Sequence, residues 1–196
     1  MSPLKTRLAR GGCRGALLRA LFWESIQNLP LVAGFLLGLD AWQSGRWGLA
    51  VAWAVGGSAL GALAIWATEA RIIEGHREPF RVVLSNALVM GILSVAVIAY
   101  LSSAWSRWWT DLVAGSLAAL LLGVSQDLAA GAAGKEGIDW GHCAALALAF
   151  GCTLLGVRVL VAFLPPVANI LVVTALSAMA VVLIDYGRPD PGGSGS

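Results

Sequence analysis

Apolar residues in this chain form six long runs, and short charged or polar clusters separate them. Each run has roughly 20 residues, the length that an α-helix needs to cross about 30 Å of hydrocarbon. The runs lack the alternating period of membrane β-strands, whereas helices pair their backbone polar groups internally. The pattern therefore predicts six transmembrane helices, at residues 20–39, 47–68, 82–105, 108–126, 141–164 and 167–184.

The composition agrees with a membrane protein. Hydrophobic residues make up 58% of the chain and charged residues 12%, and the mean hydropathy of +0.79 lies well outside the range of soluble domains. Most of the nine tryptophans lie near predicted helix ends, where aromatic belts anchor membrane helices. We predict an all-α fold, a polytopic membrane helix bundle whose main surroundings are the lipid bilayer.

The distribution of basic residues predicts the orientation. If the N-terminus is cytoplasmic, that side of the membrane collects nearly all Lys and Arg residues, and the positive-inside rule selects this arrangement. We therefore expect a multi-pass protein of the cell (inner) membrane with both termini in the cytoplasm. A signal peptide is not expected, because the first run carries Glu24, Asn28 and Pro30 and lacks a cleavage pattern. The basic residues on the cytoplasmic side are Lys5, Arg7, Arg10, Arg14, Arg19, Arg71, Arg77, Arg81, Lys135 and Arg188.

Two stretches of the chain are nearly the same phrase. SNALVMGILS at 85–94 and ANILVVTALS at 168–177 match at five of ten positions, and one match pairs Asn86 with Asn169. The chain has only these two asparagines and Asn28, so the coincidence of a polar residue is notable. Similar composition would explain any single match between apolar segments, but this match is one of three.

Two further matches occur in the same order along the chain. The phrase LVAG at 31–34 recurs at 112–115, and the fifth predicted helix can be aligned with the second so that Gly57-Ser58 pairs with Gly151-Cys152. Together the matches predict a three-plus-three repeat. Because three is odd, the second unit enters from the opposite face, so the repeat must be inverted. The predicted organisation is a basic segment 1–19, repeats 20–105 and 106–186, and a flexible tail 187–196 that ends in an appended linker.

Inverted symmetry places equivalent residues at mirrored depths. Asn86 lies near the cytoplasmic end of its helix and Asn169 near the outer end, so we expect them at matching constrictions of a solute path, where an amide both donates and accepts. The alternative is a hydrogen bond between helices. Ser58 and Cys152 fall near mid-membrane and are expected to line a narrow central passage, unless these small residues only let helices cross closely.

Charged and polar side chains inside the predicted spans complete the candidate path. Arg158, near the outer end of the fifth span, is expected either to face the path or to extend to the interface. Glu24, Gln27 and Asn28 share one face of the first helix, and Pro30 is expected to break this helix and free a backbone carbonyl. Such a broken polar half-helix is typical of solute and ion sites, although an interfacial turn would look similar.

Several kinds of chemistry are not expected. No catalytic constellation, metal-binding motif or phosphate-cradling loop is present, and both histidines lie near the cytoplasmic face, so we predict neither enzyme activity nor a cofactor or metal. The three cysteines imply no disulfide framework. No base-reading motif or basic-aromatic patch indicates nucleic acid as a partner.

The sequence as a whole predicts a small transport protein, a channel or carrier for an ion or small polar solute. A homodimer is expected because six helices alone enclose little volume. The alternative is a non-transporting subunit or scaffold that packs against partner membrane proteins. This alternative includes the substrate-capture subunits of modular vitamin importers, which the chain resembles only in its number of spans.

Overall fold

A computed structural model describes residues 13–72, 80–103, 105–131 and 137–187 and confirms an all-α fold. Each of the six helices has a segment long and apolar enough to cross a membrane. Residues 1–12 of the predicted basic segment 1–19, and residues 188–196 of the predicted tail 187–196, lie outside the described residues. The helices are α1 (Cys13–Gln43), α2 (Trp47–Ile72), α3 (Phe80–Leu101), α4 (Trp108–Gly131), α5 (Trp140–Phe163) and α6 (Pro166–Gly187).

Helix α1 continues through Pro30, so the predicted break there was wrong. An interior proline removes a backbone hydrogen bond and costs a helix about 3 kcal/mol. Packing on both sides of Pro30 holds the two parts in line: Gln27 bonds to α2 on one side, and Gly34 contacts α2 on the other. The region around Glu24, Gln27 and Asn28 is therefore part of a regular helix.

The third helix is shorter than predicted, because it ends at Leu101 and not at residue 105. The Ser103 hydroxyl donates to the Tyr100 carbonyl at 2.7 Å. Local bonds of this kind compete with the helical ladder and favour a turn.

A tight turn joins α1 to α2. The Gly45 amide donates to the Trp42 carbonyl at 2.9 Å and the Arg46 amide to the Ala41 carbonyl at 2.8 Å, which is a Schellman motif. This motif requires a left-handed residue, and Gly45 has a φ of +75°. The turn sends α2 back along α1 as an antiparallel neighbour.

Glycines let the first two helices of each half approach closely. A methyl group on Gly34 would lie only 2.6 Å from the Gly57 Cα atom in the α1–α2 pair. In the α4–α5 pair, a methyl group on Gly115 would lie 3.1 Å from the Gly151 Cα atom. The repeated phrases of the sequence pair these same glycines, Gly34 with Gly115 and Gly57 with Gly151.

Five of the helices form a closed ring. Helix α1 packs against α3 and α6, α4 packs against α3 and α5, and α5 packs against α6. Helix α2 packs against α1 and α3. Large apolar side chains such as Leu148 and Ile92 are exposed over the outer surface, an arrangement typical of proteins that interact with lipid or other apolar partners.

Adjacent glycines offer a matched test of the α1–α2 crossing. Gly57→Ala would place a methyl group 2.6 Å from the Pro30 carbonyl oxygen, whereas Gly56 has open space around its Cα atom. We expect Gly57→Ala to lower the free energy of unfolding by about 1–3 kcal/mol, the usual cost of overpacking. Gly56→Ala should leave it unchanged or raise it, because alanine favours a helix. Thermal unfolding of the detergent-solubilised protein measures both; equal losses would contradict the assigned crossing.

Candidate functional site

A cavity of about 140 Å³ lies inside the five-helix ring, at the middle of the helices. Its walls are almost wholly apolar, and they come from α1, α3, α4, α5 and α6. Polar side chains contribute only the hydroxyls of Ser94, Thr153 and Ser177 among the described residues that line it. The site is therefore a neutral apolar chamber with a few hydrogen-bonding points.

Helices α3 and α6 line this cavity with equivalent residues of the repeated phrase. Met90 and Ser94 of α3 face it, and so do Val173 and Ser177 of α6, each pair 83 residues from the other. Within each helix the two residues are four apart and share one face. Two segments that resemble each other in sequence thus present the same positions to one central space.

The two asparagines continue these faces one turn beyond the cavity. Asn86 lies four residues before Met90 and Asn169 four residues before Val173, which is about 6 Å along a helix axis. We call the sets Asn86–Met90–Ser94 and Asn169–Val173–Ser177 the α3 stripe and the α6 stripe. Each stripe is polar at its two ends and apolar in its middle.

Asn169 is a buried amide in which only one of the two polar side-chain atoms is hydrogen-bonded. Its Nδ2 atom donates to the Leu164 carbonyl at 3.2 Å, where α5 ends, so the residue helps to close the α5–α6 turn. Its Oδ1 atom is buried and has no hydrogen-bond partner in the structure. A buried acceptor of this kind is costly unless water or a solute donates to it. Asn86, by contrast, is only half-buried.

Ser58 and Cys152 do not line the cavity, although the sequence predicted a central position for both. The Ser58 side chain is fully buried towards Gly91 of α3, and its hydroxyl donates to the Ala54 carbonyl at 2.8 Å. Cys152 is exposed on the surface of α5. The neighbouring Thr153 lines the cavity instead, because one step along a helix turns a side chain by about 100°.

Arg158 has a partner that sequence reasoning missed. Its guanidinium forms an ion pair with the carboxylate of Asp111, in the first turn of α4, and also donates to the Ser106 hydroxyl at 3.0 Å. Ser106 in turn donates to the second Asp111 oxygen at 2.8 Å. The Asp111 side chain is 0% exposed, while that of Arg158 is 44% exposed. The pair ties α4 to α5 at the predicted outer end, and Arg158 therefore compensates a buried charge.

The polar face of α1 forms a similar but neutral tie at the opposite end. The Gln27 Nε2 atom donates to the Thr68 hydroxyl of α2, and that hydroxyl donates to the Ala64 carbonyl at 2.7 Å. Asn28 bonds within its own helix, from Nδ2 to the Glu24 carbonyl at 2.9 Å. The structure thus uses Gln27 to join α1 to α2, and it does not gather this group with the cavity residues.

The buried ion pair can be tested against an exposed one. Arg158→Met would leave the Asp111 carboxylate buried without its cation, and we expect a loss of about 2–3 kcal/mol, reduced by the water that reaches Arg158. Arg46 lies 3.6 Å from Asp40 with both side chains mostly exposed, so Arg46→Met should cost under about 1 kcal/mol.

A second substitution separates the charge from the packing. Adding Asp111→Asn to Arg158→Met removes the uncompensated charge and should restore part of the lost stability. Thermal unfolding at fixed detergent and salt measures the stability of the unmodified protein, the two single variants and the double variant. An Arg158→Met variant as stable as Arg46→Met would show that the pair contributes little.

Comparison of the chain with models of known protein families, with curated proteins and with solved structures found no match. The geometry and chemistry of the cavity and its two stripes carry the functional inference.

Proposed function

We propose that the protein is an integral membrane transport protein that moves a small solute through the central cavity. The observation that carries the proposal is the placement of the α3 and α6 stripes. Their equivalent residues meet at one mid-helix cavity, and each stripe places an asparagine one turn beyond it. Membrane carriers built from inverted repeats bind their substrates at such a position.

The packing of the helices supports two halves related by inversion. The contacts α1–α2, α2–α3 and α1–α6 have counterparts in α4–α5, α5–α6 and α4–α3, as exchange of the halves requires. The glycine crossings support the same relation, because the matched glycines touch in both halves. Under this proposal Asn86 lies towards the cytoplasm and Asn169 towards the outside, with the termini in the cytoplasm.

One difference between the halves favours a carrier over a fixed pore. Helix α1 packs against α3, but in the described part of the chain α4 and α6 lack a comparable contact, and α5 lies between them in the ring. If the two repeats have different conformations, each can adopt the conformation of the other. This exchange opens a central site to one side of the membrane at a time. The cavity is then the site that both arrangements share.

A second candidate function has its own observation. Gly48 and Ala52 are exposed on α2, Gly56 follows at the same spacing, and both glycines have open space beside them. Small residues four apart are a common contact surface for another membrane helix. This surface favours a subunit or scaffold that packs against a partner, or a homodimer of a transporter. Purification from native membranes with a stoichiometric partner protein would support the subunit.

Removal of the asparagine amides tests the transport proposal. Asn86→Leu and Asn169→Leu keep the branched shape and the number of side-chain heavy atoms but delete the hydrogen-bonding groups at the two ends of the path. We expect each variant to lower solute flux into reconstituted vesicles at least tenfold. Gln43→Leu, which removes an exposed amide at the end of α1, is the control and should keep the flux of the unmodified protein.

Folding must be checked separately, because Asn169 also bonds to Leu164. Thermal unfolding and size-exclusion profiles identify a variant that has lost its structure. If both folded asparagine variants transport as fast as the Gln43→Leu control, the stripes do not form the path.

A further inference from the structure

The chemistry of the cavity narrows the kind of solute that this proposed transporter can carry. We propose that the solute is a small uncharged molecule with hydroxyl or amide groups, of the polyol or urea class, and not an ion. This inference rests on the proposed function, since it concerns the same cavity and the same two stripes.

The cavity walls do not suit a charge. No Asp, Glu, Lys or Arg is found among the described residues that line the cavity, and most of the lining is aliphatic or aromatic. An ion that left water for such walls would lose far more solvation energy than a few hydroxyl dipoles return. Arg158, the cation among the residues predicted for the path, is already paired with the Asp111 carboxylate.

The cavity hydroxyls are available for a solute to use. Some serine hydroxyls in these helices bond to a carbonyl of their own helix, as Ser58 does to Ala54 and Ser125 does to Leu122. In the described part of the chain, no such bond is made by Ser94 or Ser177, and both face the cavity. A free hydroxyl both donates and accepts, which matches the hydroxyl or amide of a neutral solute.

Thr153 adds an acceptor to this pair. Its hydroxyl proton goes to the Ala149 carbonyl at 2.8 Å, which leaves the oxygen lone pairs free. The apolar walls around these three hydroxyls, such as Phe150 and Leu154, suit the carbon face of a polyol. A solute with one polar edge and one C–H face fits this distribution better than a fully hydrated species.

The polar groups along the path also suit an uncharged solute. Each stripe runs from an asparagine amide to a serine hydroxyl over about 12 Å of helix, so a solute would pass from one neutral group to the next. The volume of about 140 Å³ is close to that of cavities that hold a six-carbon ring, so a small polyol fits. Larger sugars exceed this space.

Flux measurements on vesicles that contain the full chain test the inference. Glycerol and urea are the neutral probes, and light scattering measures their entry. K⁺ and Cl⁻ are the ionic probes, and ion-sensitive dyes measure theirs. We expect glycerol or urea permeability at least tenfold above that of protein-free vesicles, with ion flux at the background level. Ion flux without neutral flux would overturn the solute class while leaving transport in place. The absence of any flux would overturn both proposals.

Substitutions of the two serines locate the effect. Ser94→Ala and Ser177→Ala should each lower neutral flux at least fivefold, and Ser125→Ala, whose hydroxyl bonds within its own helix, should leave it unchanged. Ser177→Thr keeps the hydroxyl but fills space, so it should slow glycerol more than the smaller urea. Neutral flux that is the same in all four variants would overturn the assignment of the cavity hydroxyls.

Discussion

The close crossing of glycines in the α1–α2 and α4–α5 pairs is the contact on which the rest of the structure depends. Gly34 meets Gly57, and Gly115 meets Gly151, so each pair packs backbone against backbone. Apolar side chains gain little by leaving lipid for protein, and close contact of small residues supplies much of the association of membrane helices. The two hairpins therefore act as compact units, and α3 and α6 complete the ring around the cavity.

The few polar groups inside the bundle fall into two sets. One set is consumed by structure: Gln27 bonds to Thr68, Arg158 pairs with Asp111, and Ser58 bonds to its own helix. The other set keeps unused hydrogen-bonding capacity, as the buried Oδ1 atom of Asn169 does. Ser102, His142 and Thr174 also have buried polar atoms without a partner. The α3 and α6 stripes differ from these residues because they reach the cavity, through Ser94 and Ser177. The stripes, and not the charged residues, therefore carry the functional proposal.

Periodicity and length were enough to predict the six helices, because both depend on local sequence, and the repeated phrases were enough to pair the glycines of the two halves. The direction of a side chain within a crowded bundle depends on packing between helices. This packing cannot be deduced from the pattern of a single sequence. Cys152 was expected in the centre, yet Thr153 faces the cavity. Asp111 was overlooked because a carboxylate at a helix start normally caps the helix near water. Its partner lies 47 residues away in the chain.

The two ties that close the hairpins differ in strength, and this difference bears on how a carrier would move. The α4–α5 tie joins a buried carboxylate to a guanidinium, whereas the α1–α2 tie is a single hydrogen bond between neutral side chains. Charge-assisted bonds are roughly twice as strong as neutral ones. The α1–α2 and α4–α5 hairpins are also held by their glycine crossings. Motion that opens the cavity would therefore change the contacts that α3 and α6 make with these hairpins. Those are the helices that carry the two stripes, so in the proposed cycle the solute-binding groups move together with the elements that open the path.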